Sequence, residues 1–460
     1  MLERIARFIQ DHFIRGRRLN PARLVVESFA LIILTGAILL TLPFATQSRE
    51  SVGFFTALFT ATSATCVTGL VLVDTAVTWS LFGKIVILGL IQLGGLGFMT
   101  VITILSFVFH RRIGLSERLL MVSTLNLNDL DGVVRVVRRA LVGTAFFEGM
   151  GAFLLSFRMI PRFGFGRGIW YSIFHAISAF CNAGFDLMGI HSGQFSSLIS
   201  FQKDPLVLLT IASLIIMGGL GFFVWEDVVR HRRWKKLTLY SKLAIGMTAG
   251  LLTFGTLFFL LVEGKNPATL GAMPMGERIL NAFFQSATLR TAGFNVIDQG
   301  AMKDCSLVLC CMLMFIGGSS GSTAGGIKTV TFWVLSMVLI TGLRGRSRIV
   351  FRERTLPAER IMNAVNLFLM VFTLLMSGSM FISLVDGVPY LHAAFETASA
   401  LGTVGLTTGI TSTLSWASRA VLILCMYLGR VGVLSVSIGF LTGKSESMKI
   451  KYPEFSIMIG

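Results

Sequence analysis

Four stretches of this chain align without gaps: FFTALFTATSATCVTGL (54–70), WYSIFHAISAFCNAGF (170–185), ILNAFFQSATLRTAGF (279–294) and LHAAFETASALGTVGL (391–406). Each ends in a glycine followed by Leu or Phe, at Gly69, Gly184, Gly293 and Gly405, spaced 115, 109 and 112 residues apart. A phenylalanine stands ten positions before each glycine (Phe59, Phe174, Phe283, Phe395), and the fifth and sixth positions before it hold only Ser, Thr or Ala. Self-similarity at a near-fixed period marks a repeated structural unit. The chain has to fold as four copies of one element.

The surroundings repeat as well. A long apolar helix comes first (24–44, 136–158, 241–262, 361–384), then the short motif segment, then a second long helix (80–109, 205–229, 305–340, 417–441). A hydrocarbon core of about 30 Å needs about 20 apolar residues per helix, so a segment of a dozen is re-entrant rather than spanning. Non-helical backbone survives at that depth only when buried in protein or facing water. Composition agrees: 54% of the 460 residues are hydrophobic, 14% are charged and the mean hydropathy is +0.77, whereas soluble proteins carry about 25% charged residues. The expected fold is an all-α integral membrane protein with eight spanning helices. Four parallel-order repeats of helix, re-entrant pore helix and helix surround one central pore. The repeats run over 24–109, 134–230, 240–340 and 360–442, with 1–23 as a cytoplasmic N-terminal arm and 443–460 as a cytoplasmic tail.

Lining a narrow pore with carbonyl oxygens requires dihedrals that side chains resist and glycine accepts, and carbonyl rings replace the hydration shell in potassium-selective filters. The candidate filter strands are Cys66, Val67, Thr68 and Gly69; Cys181, Asn182, Ala183 and Gly184; Arg290, Thr291, Ala292 and Gly293; Gly402, Thr403, Val404 and Gly405. Arg290 is expected to turn its guanidinium away from ions it would repel. Asp74 and Asp298, five residues past their glycines, read either as cation concentrators at the outer mouth or as ordinary solvated loop charges. Glu148 and Glu396 fall inside apolar helices, where structural pairing is favoured over a transport role.

The second helices carry small-residue weak points at 94–97, 218–221, 317–321 and 429–432. Only the third widens into a loop: Gly317, Gly318, Ser319, Ser320, Gly321, Ser322, Thr323, Ala324, Gly325 and Gly326, then Ile327 and Lys328. With little bulk and no strong helix preference, it can occupy or vacate a path below the filter; the plainer reading is a flexible break between half-helices. Arg430 replaces a glycine of the fourth weak point. An intramembrane arginine costs about 2.5–3.5 kcal/mol on insertion scales and marks function by default. It reads as a positive barrier below the filter, an anchor for loop carbonyls, or a partner of helix ends. Enzyme readings fail: 317–321 satisfies G-x-S-x-G without the strand-to-helix context, and Ile327 breaks the phosphate-loop pattern. No cysteines or histidines show metal-ligand spacing, and no catalytic set converges.

The net charge of +17 falls in clusters at Arg15/Arg17/Arg18/Arg23, Arg111/Arg112/Arg118 with Arg135/Arg138/Arg139, 230–236 and 344–354, alternating with segments of mixed charge. That placement follows the positive-inside rule and puts both termini in the cytoplasm. It points to membrane lipid and a cytosolic partner, not to nucleic acid.

The motifs TCVTGL (65–70), NAGF (182–185), RTAGF (290–294) and GTVGL (402–406), with the Gly-rich interruption, resemble the Trk/Ktr/HKT superfamily of cation transporters over essentially the whole chain, most of all the membrane subunit of bacterial Ktr potassium uptake. The resemblance implies K+ as the only metal, held by filter carbonyls, and a gating role for 317–326 with Lys328 and Arg430. It also implies a homodimer in the bacterial plasma membrane, a KtrA-like cytosolic ring that carries the regulatory nucleotide, and no cofactor in this chain. Glycine at all four filter positions favours potassium; a sodium-permeable or sodium-coupled member of the same superfamily is the alternative.

Overall fold

The computed structural model describes residues 21–97, 133–346, 348–351 and 353–433. The arm before residue 21, the stretch 98–132 with its basic cluster and the end of the first repeat's second helix, Arg352, and the tail from 434 lie outside the described residues.

The principal helices are α1 (Pro21–Thr41), α2 (Phe54–Thr65), α3 (Leu81–Leu96), α4 (Val133–Phe163), α5 (Phe165–Phe180), α6 (Pro205–Leu220), α7 (Phe222–His231), α8 (Leu239–Val262), α9 (Met275–Thr288), α10 (Asp304–Phe315), α11 (Thr329–Leu343), α12 (Ala358–Asp386), α13 (Tyr390–Gly402) and α14 (Trp416–Val431). A two-residue hairpin pairs Val350–Phe351 with Arg354–Thr355 antiparallel. The short helices α2, α5, α9 and α13 each pack chiefly on the long helix before them. They are largely buried, and in α13 every residue from 393 to 402 is. The long helices are the reverse: Phe153, Leu261 and Leu384 stand exposed on them. An apolar exterior of this extent belongs in lipid.

Arg138–Phe163, Leu239–Lys265 and Ala358–Asp386 are each long and apolar enough to cross a membrane, and Pro205–Leu220 with Phe222–His231 qualifies as a pair bent by 94°. Val25–Thr41, Leu81–Leu96, Asp304–Phe315 and Thr329–Leu343 are shorter apolar helices. This corrects the single helix expected over 205–229, which is two helices meeting at a sharp bend. The cause lies in the small-residue breaks. A Cβ at Gly94, Gly218 or Gly429 would fall less than 3.0 Å from the carbonyl oxygens of Thr65, Phe180 and Leu401, each four residues before a motif glycine. The second helix is drawn against the end of the short one, and only glycine permits that approach. Three residues on, Gly97, Gly221 and Gly432 have φ of +79°, +88° and +92° and end their helices. At the other ends, the side chains of Ser80, Asp204 and Ser415 accept from backbone N–H groups and cap α3, α6 and α14.

Candidate ion pathway

The four motif glycines meet. A Cβ on Gly69 would lie within 3.0 Å of the Ala183 carbonyl oxygen, one on Gly184 within 3.0 Å of Ala292 O, one on Gly293 against Val404 O, and one on Gly405 against Thr68 O. The contacts close a ring in the order of the repeats. The glycines have φ of +95°, +69°, +81° and +94°, and two residues earlier Val67, Asn182, Thr291 and Thr403 have φ of +56°, +60°, +67° and +51°. In a regular strand successive groups alternate sides; a left-handed residue at every second position turns alternate peptide planes so that their carbonyls share a side. The first residue of each expected strand behaves differently. Cys66 and Cys181 cap their short helices in right-handed conformation, Gly402 ends α13, and Arg290 lies in the turn after α9.

Hydroxyls five or six positions before each glycine hold these strands. Ser63 Oγ accepts from Gly69 N–H and Ser399 Oγ from Gly405 N–H, both at 3.0 Å. Ser178 Oγ donates to Phe185 O at 2.7 Å and Thr288 Oγ1 to Phe294 O at 2.8 Å. That explains why these positions admit only small residues.

Below the ring sits the interruption. Its neck is paired: Gly317 N–H donates to Ile327 O (2.9 Å), Ile327 N–H to Phe315 O (3.2 Å) and Thr329 N–H to Gly318 O (3.0 Å). Its body is tied to the second repeat's break. Ser319 N–H donates to Gly219 O (2.9 Å), Thr323 N–H to Gly218 O (3.3 Å), and Phe222 N–H to Gly321 O (2.9 Å). Tyr240 Oη donates to Ser320 O at 2.8 Å, and Thr323 Oγ1 to Phe180 O at 3.1 Å. Gly325 presses against the Thr403 hydroxyl so closely that no Cβ would fit. Lys328 Nζ donates to Ala324 O within the loop at 2.7 Å. Arg430 Nη1 donates to Thr323 O, while Nη2 donates to Gly94 O and, at 3.1 Å, to Gly95 O. One guanidinium thus bridges the loop of the third repeat and the helix end of the first.

Comparison with known proteins identifies the family. The model of a family described as cation transport proteins, TrkH, matches residues 17–449. The chain belongs to the TrkH family of cation transport proteins. It is 42% identical to the potassium/sodium uptake protein NtpJ of Enterococcus hirae, over 96% of this chain and 98% of that one. It is 39% identical to Ktr system potassium uptake protein B of Bacillus subtilis, over 98% and 99% of the two chains. The crystal structure of the potassium transporter TrkH from Vibrio parahaemolyticus superposes with a TM-score of 0.74 at 17% identity, over 93% of this chain and 86% of that one, which shows the shared fold.

Other charged residues of this TrkH-family chain occupy defined places. The Arg290 guanidinium reaches Gly317 O (3.3 Å) and Thr248 Oγ1 (3.5 Å) through Nη2. Glu148 accepts from Gln92 Nε2 at 3.1 Å on both oxygens. Glu396 accepts from Thr407, Thr408 and Thr411. Neither carboxylate has a cationic partner among the described residues. Asp74 is not a solvated loop charge: buried, it accepts from Ala76 and Val77 N–H and, across repeats, from Phe195 N–H at 2.8 Å. Asp298 is exposed and accepts from Gly300 N–H. Sequence reasoning missed the left-handed residues two before each glycine, the hydroxyl ties and Tyr240. The Ser/Thr/Ala restriction was the signal for the ties.

Proposed function

We propose that this chain is the membrane subunit of a potassium uptake system. It conducts K+ through the glycine ring as a carbonyl filter, the four repeats forming one pore. The loop 317–326 blocks the path beneath and opens under control of a cytosolic, KtrA-like nucleotide-binding ring. The observation that carries this reading is the closed ring of four left-handed glycines, each against the preceding carbonyl of the next repeat. Such a ring offers a dehydrated cation oxygen ligands without side-chain bulk. Relatives named for potassium uptake support the choice of ion. The chain works as a homodimer in the bacterial plasma membrane with both termini cytoplasmic. A second reading, sodium permeation, draws on the potassium/sodium name of the Enterococcus relative. Rubidium uptake into liposomes holding the purified chain, with and without sodium, separates them. Uptake that is saturable, blocked by K+ and indifferent to sodium is the expected result, and sodium uptake at an equal rate overturns the choice of ion.

The regulatory ring docks on exposed basic loops. Arg230 lies in the last turn of α7 and Arg232, Arg233, Lys235 and Lys236 follow it, while Arg344, Arg346, Arg348 and Arg354 follow α11; all are exposed. Both loops follow the second helix of a repeat and so lie on one side of the membrane. Replacing Arg344, Arg346 and Arg348 by Gln should weaken co-purification of the ring and lower the salt concentration that dissociates it, since exposed charges act within a Debye length of about 8–10 Å. Equal retention across salt concentrations would leave these arginines to topology alone.

A further inference from the structure

We propose that His175 and Glu396 are positioning residues that brace two opposite filter strands and thereby set ion selectivity. The inference rests on the filter reading above. Both residues stand nine positions before a motif glycine, on the short helices of the second and fourth repeats. Both side chains are fully buried. Each accepts a hydrogen bond from the backbone N–H three residues past its glycine: Leu187 N–H to His175 Nε2 at 3.4 Å, and Thr408 N–H to Glu396 Oε1 at 3.0 Å. A backbone amide can only donate, so the side chain has to present a lone pair. For His175 the partner of the other nitrogen fixes the tautomer: Nδ1 lies 2.8 Å from Tyr171 O, an acceptor, so Nδ1 carries the proton and Nε2 is free to accept. The Glu396 carboxyl is also held by the Thr407 and Thr411 hydroxyls at 2.6 Å each.

Among the described residues the other two repeats have no tie from this register. At the same register Thr60 spends its hydroxyl on Thr56 O within its own helix, and Phe284 has no polar atom. Since the ring runs in repeat order, the two strands tied from this register face each other; the third strand is held differently, Asn295 N–H donating to Ser197 Oγ of the second repeat at 3.0 Å. The brace fixes where the chain leaves the glycine and so the angle at which the ring carbonyls face the ion. A K+-sized ring held at two opposite points resists collapse onto a smaller ion; with the braces cut it follows the ion's size.

The readout is the ratio of rubidium to sodium uptake in liposomes, which a loss of folded protein does not shift. His175→Ala and Glu396→Ala should each lower it by about threefold to tenfold, the scale of one buried hydrogen bond. Glu396→Gln, whose carbonyl still accepts from Thr408 N–H, should stay within about twofold of wild type. Glu396→Asp draws the oxygen back by one methylene, perturbs packing little and should fall with the alanine variants. Phe284→Leu, a packing change at the same register without a brace, should lower yield but not the ratio. Alanine and aspartate variants with wild-type ratios overturn the brace if Gly405→Ser shifts the ratio in the same assay. Should Gly405→Ser leave it unmoved, the filter reading fails and takes the brace with it.

Discussion

Deleting residues 320–325 should raise rubidium flux in the absence of any regulatory partner, and Arg430→Ala should do the same. The deletion keeps the neck, whose three backbone bonds join 315–318 to 327–329, so α10 and α11 remain connected as they are. It removes Gly325, which sits against Thr403 in the fourth of the proposed filter strands. Arg430→Ala removes the guanidinium that holds Thr323 O and the carbonyls of Gly94 and Gly95. Hydrogen bonds to a charged donor contribute about 1.5–3 kcal/mol each. If even one exists only in the closed arrangement, its loss shifts the open-to-closed ratio about tenfold. The substitution also removes a positive charge that would repel a cation just below the filter. Because Arg430 grips the segment the deletion removes, the two changes should be non-additive: the double variant gains less than the product of the singles. Flux per reconstituted protein for wild type, both singles and the double decides it. A deletion variant that elutes like wild type yet conducts no faster sinks the gate. Clean multiplication of the two effects would leave Arg430 as a separate electrostatic barrier.

The repeats were legible because the glycine, the Phe ten before it and the small residues between are local demands that each copy meets in the same way. The left-handed backbone at Val67, Asn182, Thr291 and Thr403 was not. Asparagine tolerates that region, but valine and threonine are β-branched and resist it. No common residue type marks the position; the conformation is imposed by the ring and held by the hydroxyl ties. The broken second helices were half legible. The glycines at 94, 218 and 429 announced a weak point, but the stretch through 222–229 read as continued helix. The 94° turn at Gly221 is secured by Gly321 O, a hundred residues downstream.

Charged residues divide along the same line. The sequence exposes the cost of Arg430 inside an apolar helix, yet its acceptors come from residues 94, 95 and 323, and no local pattern connects them. Asp74 stood where an outer-mouth charge was plausible, and its bond to Phe195 N–H makes it a tie between the first two repeats. Glu148 and Glu396 were expected to find structural partners and have neutral ones, Gln92 and three threonines. In each case the sequence identifies an unusual residue and the fold decides its partner.

The second large effect expected is on selectivity, from the ring glycines themselves. Gly69→Ser should lower the rubidium-to-sodium uptake ratio by about tenfold, equivalent to ~1.4 kcal/mol between the two ions. Two physical causes act together. At φ +95° an L-residue is strained, on the order of 1–3 kcal/mol. Its Cβ would also fall within 3.0 Å of Ala183 O, so that carbonyl has to move and the four-fold arrangement of oxygens is lost. The added hydroxyl supplies a ligand that suits a smaller ion. The four positions should not respond equally. Gly184, at φ +69°, lies within the left-handed region that side chains occasionally enter, whereas the other three lie between +81° and +95°. Gly184→Ala should therefore be the best tolerated of four alanine variants. Gly89→Ala, with nothing within 4 Å of the added methyl, should leave the ratio within about twofold, below the ~1 kcal/mol scale of a specific contact. An unchanged ratio in Gly69→Ser would remove Gly69 from the filter. Equal losses at all four positions would mean that contact with the neighbouring carbonyl, not backbone strain, governs the ring.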